Sequence, residues 1–378
     1  MSSSEQKRLP IKAAVLRYAG KPLSIEKGYL EEPRPNEVLV KLVASGVCHT
    51  DMVVRDQFFK TPIPMILGHE GSGIVEKIGA AVTTVAPGDH VIMTYMYCGL
   101  CDPCATGHPA HCDHMGLLNF GGSRIDGSCS SCAADGSELR DHFFGQSSFA
   151  THSIVNELNV IKVRKDVPLE LLGPLGCGIQ TGSGAVLNAL RVNAGSSFAA
   201  FGTGAVGLAA IMAARVAGAT TIIAVDVNPE RLALALELGA THVVNSRETN
   251  PVDEIRRITG SGAQFTLECS GRAEVLRQAI DSLATLGTCG IVGATREGTE
   301  ASFNVNEVMI PGRRIMGIVQ GDVVSRTFVP ELIELYRQGR FPFDRLVNFY
   351  RFEDLDQAMA DSESGLTIKP ILRFEEAA

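Results

Sequence analysis

Residues 197–227, SFAAFGTGAVGLAAIMAARVAGATTIIAVDV, decide how half of this chain folds. SFAAF is a short apolar run, LAAIMAARVAG is long enough for a helix, and TIIAVDV is rich in β-branched residues, so the order is strand, helix, strand. A helical crossover between two strands of one sheet makes them parallel. The first turn reads Gly202-Thr203-Gly204-Ala205-Val206-Gly207. This G-x-G-x-x-G spacing lets the turn tighten, a pyrophosphate approach the backbone and the helix pack closely. Gly202, Gly204, Val206 and Gly207 are therefore candidates for dinucleotide binding. Asp226 closes the second strand about twenty residues on, where a carboxylate hydrogen-bonds ribose hydroxyls and repels a 2′-phosphate. That favours NAD over NADP. Taken alone, Asp226 would be an ordinary turn acid before Pro229. Arg231 either reaches the ribose edge or lies on the solvated helix face.

Working outward, the alternation continues through HVVN (242–245), AQFTLECS (263–270), a helix at AEVLRQAIDSLA (273–284) and TCGIVGA (288–294). Residues 178–320 thus read as a doubly wound parallel-sheet domain. Upstream, IKAAVL, EVLVKLVASGV, GSGIVEKIG and GDHVIM are short runs punctuated by glycine and proline, so residues 1–177 read as a β-rich domain. The tail, 321–378, adds two helices and the strand LTIKPILRF, which a six-stranded parallel sheet does not need. It is expected to return to the first domain. The fold class is α/β with two domains.

Composition narrows the function. The net charge of -8 and the lack of a basic cluster give a phosphate backbone nothing to bind, so no nucleic-acid partner is expected. No apolar run approaches the roughly eighteen residues of a membrane span. MSSSEQKRLP lacks the pattern of a secretory signal, so a cytoplasmic location is expected. Ten cysteines in such a chain point to metal ligation rather than disulfides.

Cys98, Cys101, Cys104 and Cys112 form C-x2-C-x2-C-x7-C, which can wrap four thiolates around a zinc ion and close it off from substrate. An iron–sulfur cluster is the chemical competitor. Cys129 and Cys132 repeat the pair spacing once and receive no role, and Cys269 and Cys289 sit in strand-like apolar surroundings. Cys48, His69 and Cys177, each beside small residues, are individually weak candidates. Together they supply two sulfurs and one nitrogen, leaving the fourth tetrahedral position of a catalytic zinc for an alcohol. Asp51 is placed to accept the distal ring N–H of His69 or to be a solvated loop acid. Glu70 either tunes the electrostatics behind the metal or forms an ion pair with an arginine. Thr50 either takes the alcohol proton or caps a helix.

GHEGSGIVEKIG (68–79), the four-cysteine loop, GCGIQTGSGA (176–185) and GTGAVG (202–207) occur in the order found in the medium-chain zinc alcohol dehydrogenases, which the chain resembles over nearly its whole length. The resemblance implies a GroES-like catalytic domain, a Rossmann NAD-binding domain and a returning C-terminal segment, with one catalytic and one structural zinc per chain. It also implies that Thr181 packs near the nicotinamide, that Val292 and Ile318 line its carboxamide side, and that His49 and Lys369 approach the pyrophosphate. A homodimer or homotetramer is implied, with TCGIVGA as a candidate edge strand between subunits. HFFGQSSFA (142–150) and QGRFPFDRLVNFY (338–350) look most like aryl-alcohol, or benzyl-alcohol, dehydrogenases. Tyr95, Phe143 and Phe149 would then wall a pocket for a flat ring, or else belong to the core. Many relatives carry a relay histidine where Val53 stands, and arginine where His49 stands. Other readings are a glutathione-dependent formaldehyde, terpenoid or aliphatic alcohol dehydrogenase, and a structural zinc protein that retains NAD binding.

Overall fold

The computed structural model describes residues 8–374 and divides into two compact units. The second, residues 178–323 with 331–345, is built on a six-stranded parallel sheet. Its order in space is His242–Asn245, Thr221–Asp226, Ser197–Phe201, Ala263–Glu268, Leu283–Ile291 and Arg314–Gly317. Ser197–Phe201 lies centrally, and the order reverses beside it, which opens the crevice where dinucleotides bind in such sheets. Phe198, Ala199, Ala200 and Phe201 are all fully buried, so both faces of the sheet are covered and the strand needs no polar alternation.

The crossover helices start and stop on recognisable residues. Ala205–Ala217 ends at Gly218, whose φ of 83° is the left-handed conformation that glycine adopts without strain. Pro229–Leu238 begins with Asn228, whose side chain accepts from the N–H groups of Glu230 and Arg231, while proline fills a first-turn position where its missing N–H costs nothing. The strand TCGIVGA was expected at the edge. It lies inside instead, because Leu283–Ile291 pairs on one side with Ala263–Glu268 and on the other with Arg314–Gly317. That outer strand has only four residues, too short a run for its pattern to be read.

The first unit comprises residues up to 177, 324–330 and those from 346 onward. The tail is therefore shared, with 331–345 belonging to the second unit. Glu37–Gly46 anchors the first unit, pairing antiparallel with Gly71–Ile78, His152–Asn156 and Lys369–Arg373. Val38, Val40, Leu42, Val75 and Val91 form a core on one side of this sheet. A second core of Met52, Val54, Leu67, Tyr95, Phe143 and Phe149 lies under the helix His49–Arg55. Sheet and helix meet at Cys48, which follows the central strand and precedes the helix. Among the described residues no helix is long and apolar enough to cross a membrane.

Candidate active site

Local geometry brings together residues that are far apart in sequence. Cys48 sits at the helix start, and its N–H donates to Asp51 Oδ2 at 2.9 Å, a capping contact that also fixes the thiol. His69 follows Gly68, whose φ of +88° turns the chain tightly into the strand Gly71–Ile78. A Cβ on Gly68 would lie 2.3 Å from the backbone nitrogen of Phe149, so glycine is required there twice over. Cys177 ends the helical turn Gly173–Gly176. The ligand atoms of Cys48, His69, Glu70 and Cys177 lie within 4.8 Å of one another.

The imidazole of His69 is held from three sides. Its Nδ1 is 2.9 Å from Asp51 Oδ1, with both groups fully buried. The ring stacks on Phe144 at 4.5 Å between centroids and meets the edge of Phe143 at 5.4 Å. Gln146 Nε2 donates to the His69 carbonyl at 2.9 Å. Nε2 of His69, by contrast, is buried with no hydrogen-bond partner. An unmet buried nitrogen is costly unless a ligand answers it. A metal ion fits that nitrogen and the two thiols beside it, since two sulfurs and one nitrogen are a zinc donor set with one position open.

The charges agree with a site made for a cation. Hydrogen bonding from the Cys177 thiol, and beyond it Lys369 and His69, hold the Cys48 thiol well below its ordinary range despite burial, while the proton is retained on Cys177, which is pushed well up. Burial pulls His69 down, but the carboxylate of Asp51 and the Cys48 sulfur outweigh it and set it at about 10. Burial lifts Glu70, and Lys369 opposes the lift. Lys369 itself is raised, because Glu70 and the Cys48 sulfur outweigh its desolvation. We therefore read Glu70 and Lys369 as an ion pair.

That pairing gives Lys369 a setting other than the one implied for it. Its ammonium is 2% exposed and donates to both Glu70 oxygens at 2.9 Å and to the Val47 carbonyl at 3.1 Å. All three donors are thus used behind the metal-ligand cluster. His49 is exposed, Thr50 Oγ1 lies 3.9 Å from the Cys48 sulfur, and Val53 is buried in the helix. Tyr95, Phe143 and Phe149 are all buried core residues. Phe144 and Gln146 are not marked by the sequence reading, and the ion pair it allows for Glu70 is made with Lys369 rather than an arginine. Phe144 has a weak signal in the dipeptide beside Gly145, whereas nothing points to a lysine 299 residues away.

The four-cysteine loop closes on itself. Sulfurs of Cys98 and Cys104 are 4.0 Å apart, and those of Cys101 and Cys112 are 3.8 Å apart. Thiolates at a zinc–sulfur distance of ~2.3 Å stand about 3.8 Å from one another on a tetrahedron, so the spacing suits zinc. N–H groups of Leu100 and Cys101 donate to the Cys98 sulfur and lower its thiol to about 6. Cys129 and Cys132 belong to neither cluster; the Cys132 sulfur accepts from Arg8 at 3.1 Å.

In the second unit the glycine turn is tight. Gly202 has a φ of +97°, and a Cβ on Gly207 would lie 1.8 Å from the Gly202 carbonyl oxygen. Gly204 is the helix N-cap and faces open space. Asp226 Oδ2 accepts from the Thr203 N–H and hydroxyl at 2.6 and 2.7 Å, and Oδ1 from the Val227 N–H at 2.7 Å. The carboxylate thus pins the turn and also lines a cavity of about 300 Å³ with Gly202, Val225 and Ser246. Arg231 is partly buried, with Nε lacking a partner, so it is not on a fully solvated face. Val292 and Ile318 follow the carboxyl ends of their strands, at the same end of the sheet as the glycines, and Thr181 is buried in the helix Gly178–Gly184.

Comparison with known proteins agrees with both units. The alcohol dehydrogenase GroES-like domain family matches residues 34–165, and the zinc-binding dehydrogenase family matches residues 205–338. A geraniol dehydrogenase from Castellaniella defragrans is 44% identical over 364 residues, 96% of this chain and 97% of its own length. The solved structure of benzyl alcohol dehydrogenase from Acinetobacter calcoaceticus superposes with a TM-score of 0.95 at 50% identity, covering 97% of this chain and all of that one. An alcohol dehydrogenase zinc-binding domain protein from Burkholderia ambifaria gives a TM-score of 0.97 at 57% identity, over 98% of this chain and 100% of its own. Likeness of this extent, in both units, places the chain in the zinc-dependent medium-chain alcohol dehydrogenase family.

Proposed function

We propose that the protein oxidises primary alcohols whose carbinol carbon adjoins an unsaturated carbon, benzylic or allylic, with NAD as hydride acceptor. The reading rests on one observation above others: His69 presents an unmet buried Nε2 beside two thiols, under a wall of aromatic rings. Phe120 meets both Phe143 and Phe144 edge-on, and Phe59 continues the stack. Relatives named for benzyl alcohol and for geraniol support a substrate class that spans an aryl ring and an isoprenoid double bond.

Cys48, His69 and Cys177 would hold the catalytic zinc, which when bound supplies a Lewis acid that lowers the pKa of an alcohol hydroxyl. Asp51 keeps the His69 tautomer with Nε2 free to ligate. Glu70, neutralised by Lys369, sets the charge behind the ligands without competing for protons. Thr50, beside the Cys48 sulfur, takes the hydroxyl proton first. Val53 cannot relay it further, so the path leaves through a group other than residue 53. In the second unit the glycine turn would hold the pyrophosphate of the cofactor, Asp226 would meet the adenosine ribose, and Thr181, Val292 and Ile318 would position the nicotinamide. The four remaining thiolates, Cys98, Cys101, Cys104 and Cys112, would hold a second, structural zinc.

A substrate series followed by reduced-nicotinamide absorbance tests the proposal. Benzyl alcohol and geraniol should each exceed a saturated alcohol of similar size by about 100-fold in kcat/KM, a difference of ~3 kcal/mol in the transition state. Equal rates for the saturated alcohol, preference for S-hydroxymethylglutathione, or preference for NADP would each overturn the part of the reading it addresses. Two zinc ions per chain with no turnover of any alcohol would favour the structural protein.

A further inference from the structure

Hydrogen bonds within the protein already fill the carboxylate of Asp226. Oδ2 accepts from the Thr203 N–H at 2.6 Å and from the Thr203 hydroxyl at 2.7 Å. Oδ1 accepts from the N–H groups of Val227 at 2.7 Å and Asn228 at 3.0 Å. An ionised carboxylate offers about four lone-pair positions. Each of them has a donor before any cofactor arrives.

The donors differ in how easily they withdraw. Three are backbone N–H groups: that of Thr203 holds the glycine turn, and those of Val227 and Asn228 hold the entry to the helix Pro229–Leu238, which Asn228 caps. Taking any of them away would reshape the chain locally and strand a backbone donor. The Thr203 hydroxyl can swing its hydrogen aside by rotating about its own C–O bond. It is also the donor that the fingerprint does not require, since Thr203 fills a free position of G-x-G-x-x-G. Burial sets the direction of approach. Thr203 is 0% exposed, whereas Asp226 is partly exposed and lines the cavity of about 300 Å³ at the turn. A ribose entering there meets the carboxylate and not the hydroxyl.

We infer that Thr203 sets the affinity for the dinucleotide by competing with the adenosine ribose for Asp226, an inference that rests on the NAD reading above. In the free protein the hydroxyl keeps the carboxylate aimed and the turn closed, and it gives up that bond as the ribose donates. Binding then exchanges one hydrogen bond to a charged oxygen for another, so the contact that selects NAD adds little net affinity. The negative charge of Asp226 survives the exchange, so a 2′-phosphate is still repelled. Discrimination is thereby separated from tightness, which suits a cofactor that has to leave after each turnover.

Fluorescence titration with NADH, followed by displacement with adenosine monophosphate and with its 2′,3′-dideoxy analogue, tests this on the wild type, Thr203→Val and Thr203→Ser. Valine keeps the shape of threonine and lacks the hydroxyl. Thr203→Val is expected to bind NADH and adenosine monophosphate about tenfold more tightly, the worth of one hydrogen bond to a charged group, and to bind the dideoxy analogue no more tightly than the wild type does. Its unfolding temperature without cofactor should fall, because the free protein has lost the same bond. Tighter binding together with lower stability is a pairing that damage to the turn would not produce. Thr203→Ser keeps the hydroxyl and should match the wild type in affinity. Unchanged or weaker NADH binding by folded Thr203→Val, or an equal gain for the dideoxy analogue, would overturn the inference and leave the NAD reading in place. Preference of the wild type for NADPH would overturn that reading, and the inference with it.

Discussion

At the scale of single residues the site depends on groups that are buried and already committed. Asp51 serves Cys48, Gly68 and His69 at once, so Asp51→Asn should weaken zinc binding 10- to 100-fold in competition with a chelator, in line with other carboxylates behind a metal-bound histidine. Lys369→Met strands the Glu70 carboxylate in the interior and should cost about 3–5 kcal/mol in urea unfolding, most of it recovered when Glu70→Gln is added. Proton release gives a further check. Without metal, His69 is held at about 10, above its ordinary 6.5, so its charge stabilises that state fully below about 6.5 and the benefit fades as pH rises through 10. Zinc needs the neutral imidazole and two thiolates; Cys48 is already held down, whereas Cys177 keeps its proton. Zinc uptake at pH 8 should therefore release about two protons per catalytic site, measured in a weakly buffered indicator solution, and affinity should rise with pH. A release near zero would point to other ligands. Only part of this was legible beforehand. Cys48, His69 and Cys177 gained weight as a set, and the Asp51 partnership followed from their neighbourhood. Lys369 was expected at a pyrophosphate because a sequence does not show which buried acid a distant lysine will meet.

At the scale of elements, legibility follows distance along the chain. The strand–turn–helix around Gly202 and the loop from Cys98 to Cys112 are each complete within a few dozen residues, so spacing alone carried them. Arg314–Gly317 offered four residues with no usable period, and the edge of the sheet was accordingly misplaced by one strand. The glycine turn yields a sharp test. A methyl group on Gly207 would collide with the Gly202 carbonyl, so Gly207→Ala should cost about 1–3 kcal/mol of stability and weaken NAD binding at least tenfold by nicotinamide fluorescence. Gly204→Ala has room for its methyl group and should leave thermal stability nearly unchanged, so any loss of NAD affinity there reports the ligand's approach to the backbone.

At the scale of the whole molecule, two units with separate cores should respond differently to metal loss. Chelation should lower the unfolding temperature of the first unit, whose ligands it strips, and leave the parallel-sheet unit largely unaffected in hydrogen exchange. Equal loss of protection in both would show that they unfold as one. The ion pair between Glu70 and Lys369 also bears on how the protein is made. Residue 369 is synthesised roughly 190 residues after Cys177, an interval of about 10–40 s at usual elongation rates. Throughout that interval the ligands already exist but the charge behind them has no counterion. The unpaired Glu70 carboxylate adds negative charge behind those ligands, so a nascent chain should draw zinc to them at least as strongly as the finished chain does, while the four-cysteine loop can load as soon as Cys112 has emerged. The order in which the two ligand sets become complete is thus written into the positions of the residues along the chain.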